Sequence, residues 1–172
     1  FSSNISKLNL YAKKMGFNLL SRPKKLFLDS TVSQIAPYLA NKVLDDHICY
    51  LMVTSPLITD KTLKNCLEIY KKIDFKKYDS LSTFVPVKEF LWSETKPLNY
   101  NISSQPHSQN LKGYFKFCPA ISIIPKKNIF KFKNVIGKKP FKYLINNPES
   151  IDIDWQHDYE LAKIFQKKYR LF

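Results

Sequence analysis

Hydrophobic positions along the chain follow two periods, and the changes of period mark the elements. Ile5, Leu8, Tyr11 and Ala12 fall at helical spacing and Gly16 follows as a stop signal, so a helix is expected over residues 5–15. Residues 17–20 read as a short extended piece, and Pro23 biases Arg22 away from helix. Asp29 and Ser30 offer caps for a helix over 32–44. Residues 48–53, ICYLMV, form a continuous apolar run of strand length, the pattern of a strand buried on both faces; Thr54-Ser55-Pro56 breaks it. Leu63, Cys66, Leu67 and Tyr70 make one apolar face for a helix over 60–72.

Further strands are expected at 80–85 and 120–124, with short β candidates at 141–145 and 151–153. Between the second and third strands lies an irregular aromatic excursion, about 84–117, holding Phe90, Trp92, Tyr100 and Tyr114. A final amphipathic helix over 155–169 carries Tyr159, Ala162, Ile164 and Phe165. Helices alternating with buried strands predict a single α/β domain over 1–172, a three-layer sandwich with a mostly parallel sheet. No internal repeat and no linker interrupts it.

Composition narrows the classes. The 172 residues are 44% hydrophobic with 3 glycines, which suits a packed core and excludes collagen-like or low-complexity material. No run approaches the ~20 apolar residues of a membrane span. No basic-then-apolar leader opens the sequence, and Cys49, Cys66 and Cys118 are widely spaced in apolar stretches, so reduced, buried thiols in a cytoplasmic protein are expected. The formal charge of +14 would suit a polyanion, but it is almost all lysine, Arg22 and Arg170 being the only arginines. Lysine lacks the bidentate fork that reads bases and phosphates, so solvated surface charge is expected rather than a nucleic-acid partner; an anionic small substrate stays open. The chain opens on Phe1, which suggests a fragment or a trimmed form.

In an open α/β sheet, ligands bind beyond the carboxyl ends of the strands, which singles out two loops. Thr54-Ser55-Pro56-Leu57 follows the first apolar strand, and by spacing alone it is an ordinary strand-to-helix turn. In Ser150-Ile151-Asp152-Ile153-Asp154, extended geometry puts both carboxylates on one face and both isoleucines on the other. The plainer reading has Asp154 capping the next helix and Asp152 solvated; the sharper one has the pair binding Mg²⁺ through hard oxygens. The three histidines, His47, His107 and His157, show no zinc spacing, and no nucleophile-elbow, Walker or dinucleotide motif occurs.

Taken in order, several segments resemble the acylneuraminate cytidylyltransferases, the CMP-sialic acid synthetases. They are Arg22-Pro23, Asp29-Ser30-Thr31-Val32-Ser33, the strand ending Thr54-Ser55-Pro56-Leu57, Gln105-Pro106-His107-Ser108-Gln109-Asn110-Leu111, and Glu149-Ser150-Ile151-Asp152-Ile153-Asp154 ahead of Asp158-Tyr159-Glu160-Leu161-Ala162. The resemblance implies a nucleotide-diphospho-sugar transferase-like, Rossmann-like fold. It implies CMP transfer from CTP to an acidic, sialic-acid-like sugar with Mg²⁺ as cofactor, and a homodimer paired through the aromatic excursion. Residue by residue, it implies Asp152 and Asp154 as metal ligands, and Arg22, Thr31 and Ser33 along the nucleotide. Met52, Thr54 and Ser55 would lie at the substrate, with His107 and Gln109 at the reacting sugar or phosphate.

The departures are as informative. Members open with a strand and a basic Gly-Ser-Lys-type phosphate loop; Ser2-Ser3-Asn4 matches the end of a later strand, so an N-terminally truncated form is expected. Met52-Val53 stands where members have Gln-Pro, His107 where they have arginine, Asn110 where they have aspartate, and Cys118-Pro119-Ala120 where they have Asn-Gly-Ala. Each change removes a charge or donor that an anionic sugar would use, which points to a sugar other than N-acetylneuraminate or to a non-catalytic relative that keeps the fold for binding or assembly.

Overall fold

The computed structural model describes residues 1–27 and 30–169. Along them run α1 (Ser6–Lys14), α2 (Val32–Ala40), β1 (His47–Leu51), α3 (Asp60–Tyr70), β2 (Ser80–Pro86), β3 (Phe115–Pro125), α4 (Lys126–Phe132), β4 (Pro140–Leu144) and α5 (Gln156–Tyr169). The strands form one sheet in the order β1-β3-β2-β4. β3 is antiparallel to both β1 and β2, and β2 is parallel to β4. Thus β1, β2 and β4 share a direction, and in that sense the mostly parallel sheet is found. The ladders are nevertheless mixed, because reversed β3 lies between β1 and β2. The excursion causes this: it leaves at Pro86 and returns at Phe115, directly opposite, so the chain re-enters the sheet from the end at which it left.

Helices cover both faces. On one, Ala36 and Ala40 of α2 and Ile129 of α4 pack with Ile124, Val135, Ile48 and Tyr50. On the other, Cys66 and Tyr70 of α3 pack against Leu81, Ile121 and Ile123. Fully buried Ile121 and Ile124 point to opposite layers, and burying each such side chain contributes about 2 kcal/mol. The α/β three-layer arrangement is the one the hydrophobic periods predict.

Several local expectations need correction. The ICYLMV run does not form a strand buried on both faces: Cys49 and Leu51 are exposed while Ile48 and Tyr50 face α2. β1 is an edge strand, and the core under α3 is built on the central strands β2 and β3 instead. Helix α2 stops at Ala40 rather than 44, and Thr31, not Ser30, caps it, with the Thr31 N–H donating to Gln34 Oε1 at 3.0 Å in a capping box. Asp29, the other expected cap, lies outside the described residues, as does Arg170. Residues 151–153 form no strand; Ile153 makes one backbone bond to Thr54. Cys49 is exposed, whereas Cys66 and Cys118 are buried free thiols as expected. The excursion is shorter than expected, since buried Phe84 belongs to β2 and its ring meets Phe117 of β3 at 5.6 Å. α4 was not anticipated: its seven residues include three lysines, and Ile129 alone of them is buried. Among the described residues no helix is long and apolar enough to cross a membrane.

Candidate functional site

The shared direction of β1, β2 and β4 puts three carboxyl ends on one rim, and the loops leaving them build the candidate site. At β1 the chain turns tightly. The Met52 N–H donates to the Ala120 carbonyl at 3.1 Å, which pins the strand end to β3, and the Ser55 N–H returns to the Met52 carbonyl at 3.2 Å. Leu57, 2% exposed, then anchors the turn by packing with Ile151 and Ala162 of α5.

The loop after β4 reaches the same place. Glu149 clamps it to the start of α3: Oε1 accepts from the Thr59 N–H at 3.0 Å and the Thr59 hydroxyl at 2.6 Å, and Oε2 accepts from the Thr62 hydroxyl at 2.9 Å. A carboxylate at a helix N-terminus is placed where orphan N–H groups and the helix dipole favour it. Downstream, the Ile153 N–H donates to the Thr54 carbonyl at 2.8 Å. Ile151 is buried and Ile153 packs beside it, so the isoleucines anchor the segment in the core as their alternation predicts.

This bond sets Asp152 beside the Thr54-Ser55 turn, and there two polar atoms are orphaned. Asp152 Oδ1 and Ser55 Oγ are both buried, and neither has a hydrogen-bond partner. Native interiors rarely leave such atoms unpaired unless a ligand, ion or water completes them. Asp154 is exposed, and it is not the helix cap. Asp158 performs that task, its Oδ2 accepting from the Trp155 N–H at 2.9 Å and the Asp154 N–H at 3.2 Å. These bonds, the Trp155 N–H foremost, hold the Asp158 carboxyl below its ordinary range. Asp154 is thereby left free of a structural duty. Burial pushes the Cys118 thiol up, with the charge of Asp152 adding to the effect, and Cys118 Sγ lies 3.8 Å from the Ser150 carbonyl.

Carboxylate oxygens are the hard donors that suit Mg²⁺, an ion that takes few protein ligands and fills its shell with water and phosphate oxygens; of the two carboxylates, Asp152 alone presents a buried oxygen without a partner. Among the described residues no group of three or more His, Cys, Asp or Glu forms a fuller cage.

The remaining expected residues fall into two further groups. Arg22 is half-buried with Nε unpartnered, and its charge acts on Tyr50 of β1, opposing the upward push of burial on that phenol. Thr31 and Ser33 are exposed at the start of α2, their hydroxyls 2.6 Å apart. His107 and Gln109 stand exposed around a short 3-10 turn of the excursion. Lys88 ties that turn to the end of β2, donating to the carbonyls of Gln109 and Leu111 at 2.8 Å each. No hydrogen bond among the described residues joins these groups to Asp152. Sequence reasoning missed Glu149 and Lys88 as positioning residues, because each acts on backbone or on partners far away in the chain.

No protein-family model and no curated protein matches the chain. Among solved structures, one of CMP:2-keto-3-deoxy-manno-octonic acid synthetase complexed with CTP is similar, with a TM-score of 0.65 over 98% of this chain and 80% of that one. The two are 8% identical, so the likeness is one of fold. What it establishes, together with the strand order and layers above, is that this chain shares the α/β fold of that synthetase.

Proposed function

We propose that this chain is a nucleotidyltransferase, or the larger part of one, that transfers CMP from CTP to an acidic sugar and releases pyrophosphate. The observation that carries the reading is Asp152 Oδ1, buried without a partner at the carboxyl rim of a sheet whose fold is shared with a CTP-bound synthetase. In-line attack of a sugar hydroxyl on the α-phosphorus depends mainly on positioning and charge neutralisation. Asp152 and Asp154 would hold Mg²⁺, which when bound supplies countercharge to the phosphate oxygens. Ser55 would donate its orphaned hydroxyl to substrate, and Thr54 shapes the turn beside it. Arg22 contributes a fixed positive charge, with Thr31 and Ser33 along the nucleotide and His107 and Gln109 at the sugar. Met52 offers no polar contact, which favours an acidic sugar other than N-acetylneuraminate.

The test is pyrophosphate release from CTP with Mg²⁺ and a panel of 2-keto-3-deoxy acidic sugars. Asp152→Asn and Asp154→Asn should each lower kcat/KM on the order of 100-fold or more. The thermal midpoint should hold, because neither carboxylate anchors the fold. A variant that keeps its activity and instead loses stability would refute the metal assignment. A second reading, a non-catalytic relative serving assembly, is favoured by the exposed Phe90, Trp92, Tyr114 and Phe115 on and beside the excursion. In either reading we expect a homodimer through this surface, and a monomer in light scattering at micromolar concentration would refute that.

A further inference from the structure

The amino-terminal end of β3 carries a cation that the resemblance does not single out. Lys116 pairs with Val85 of β2, and Val85 packs into the cluster of Cys118, Ala120 and Ile145. Side chains alternate along a strand, so Lys116 projects on the face of Cys118. The opposite face is occupied by rings: Phe84 meets Phe117, and Lys142 lies over Phe84 and Phe115 at 5.7 and 5.8 Å. Cys118 in turn touches the Ser150 carbonyl, two residues before Asp152. The strand therefore delivers the Lys116 side chain to the edge where the Asp152 segment enters α5.

Electrostatics agree with this placement. The Lys116 charge acts downward on both the Cys118 thiol and the Asp158 carboxyl, while the Asp152 charge acts upward on the same thiol. Lys88 and Lys142 are already committed, one to two carbonyls and the other to two rings. Lys116 is exposed, and its side chain makes no hydrogen bond or ion pair among the described residues. Lys116 and Asp152, whose buried oxygen is unpartnered, thus both act on the same thiol, that of Cys118.

Resting on the function proposed above, we propose that Lys116 is a substrate-binding residue, its ammonium group contacting an anionic oxygen of the bound substrate beside Asp152. That oxygen belongs either to a phosphate of the nucleotide or to the carboxylate of the sugar; both present the same chemistry to a point charge. The experiment is calorimetric titration of wild type, Lys116→Met and Lys116→Arg with CTP in Mg²⁺, then with 2-keto-3-deoxy-manno-octonate in the presence of Mg²⁺ and CMP. Lys116→Met should weaken one titration by about 10- to 100-fold, the loss expected for a hydrogen bond to a charged group, and Lys116→Arg should restore most of it. Loss confined to CTP assigns the phosphate, and loss confined to the sugar assigns the carboxylate. Unchanged affinity of Lys116→Met for every ligand that wild type binds would overturn the assignment and leave the proposed function standing. A wild type that binds no CTP would overturn the proposed function itself, and this assignment with it.

Discussion

Thr83 offers the sharpest test of how the rim is built. Between Ser82↔Ser122 and Phe84↔Phe117 the register of β2 and β3 shifts, so that Thr83 alone faces the stretch from Cys118 to Ile121. Its hydroxyl closes the resulting bulge, donating to the Cys118 carbonyl at 2.7 Å and accepting from the Ile121 N–H at 3.0 Å. Thr83 is wholly buried, and Pro119, which has no N–H to satisfy, sits inside the bulge. Thr83→Val keeps the shape and removes the oxygen. The Ile121 N–H then loses its acceptor in a dry site, at about 1–3 kcal/mol, and the bond to Cys118 contributes about 1 kcal/mol more. The expected loss is about 2–4 kcal/mol, or roughly 4–16 °C in Tm for a chain of this size. Thr83→Ser retains both bonds and gives up one methyl group, so it should lose only about 1 kcal/mol. Urea unfolding checks this through a lower midpoint at unchanged m-value. A Thr83→Val stability within about 0.5 kcal/mol of wild type, or a Thr83→Ser loss equal to that of Thr83→Val, would refute the reasoning.

Two further perturbations probe the loops around the site. Glu149→Ala removes the acceptor of three bonds at the start of α3 and should lose about 2–4 kcal/mol of stability, with Glu149→Gln losing less; urea midpoints rank the two. Asp158 has a folded-state pKa below its unfolded value, so its contribution is present above the ordinary carboxylate range and fades as pH falls through the lower folded pKa. The midpoint difference between wild type and Asp158→Asn should accordingly be largest near neutrality and vanish in strong acid; a gap that persists there would count against the cap.

Much of the fold was legible because each long element buries one face. Leu63, Cys66 and Tyr70 predict α3 since a helix with that stripe has to lie on a sheet, and Ile121 to Ile124 can only be interior. The site was legible in part. The Ile-Asp alternation placed the isoleucines in the core and freed Asp152, yet nothing in the local pattern decided between a cap and a ligand. The structure answers the first half: Asp158 takes the capping bonds, and Asp152 keeps a buried oxygen without a partner.

Strand direction, edge position and the bulge were invisible to periodicity, which reports how each residue is buried and not which strand is its neighbour. ICYLMV looked like a central strand because apolar composition is the same whether α3 covers a second face or not; the strand order left it at the edge. Thr83, Glu149 and Lys88 act across 35, 90 and 21 positions of chain, and such bonds exist only once the sheet has been assembled. Which surfaces must be buried is written in the residues themselves, since it follows from local transfer energies. Which polar groups met, and which stayed unpaired, follows from tertiary structure, because pairing depends on the arrangement of segments far apart in the chain.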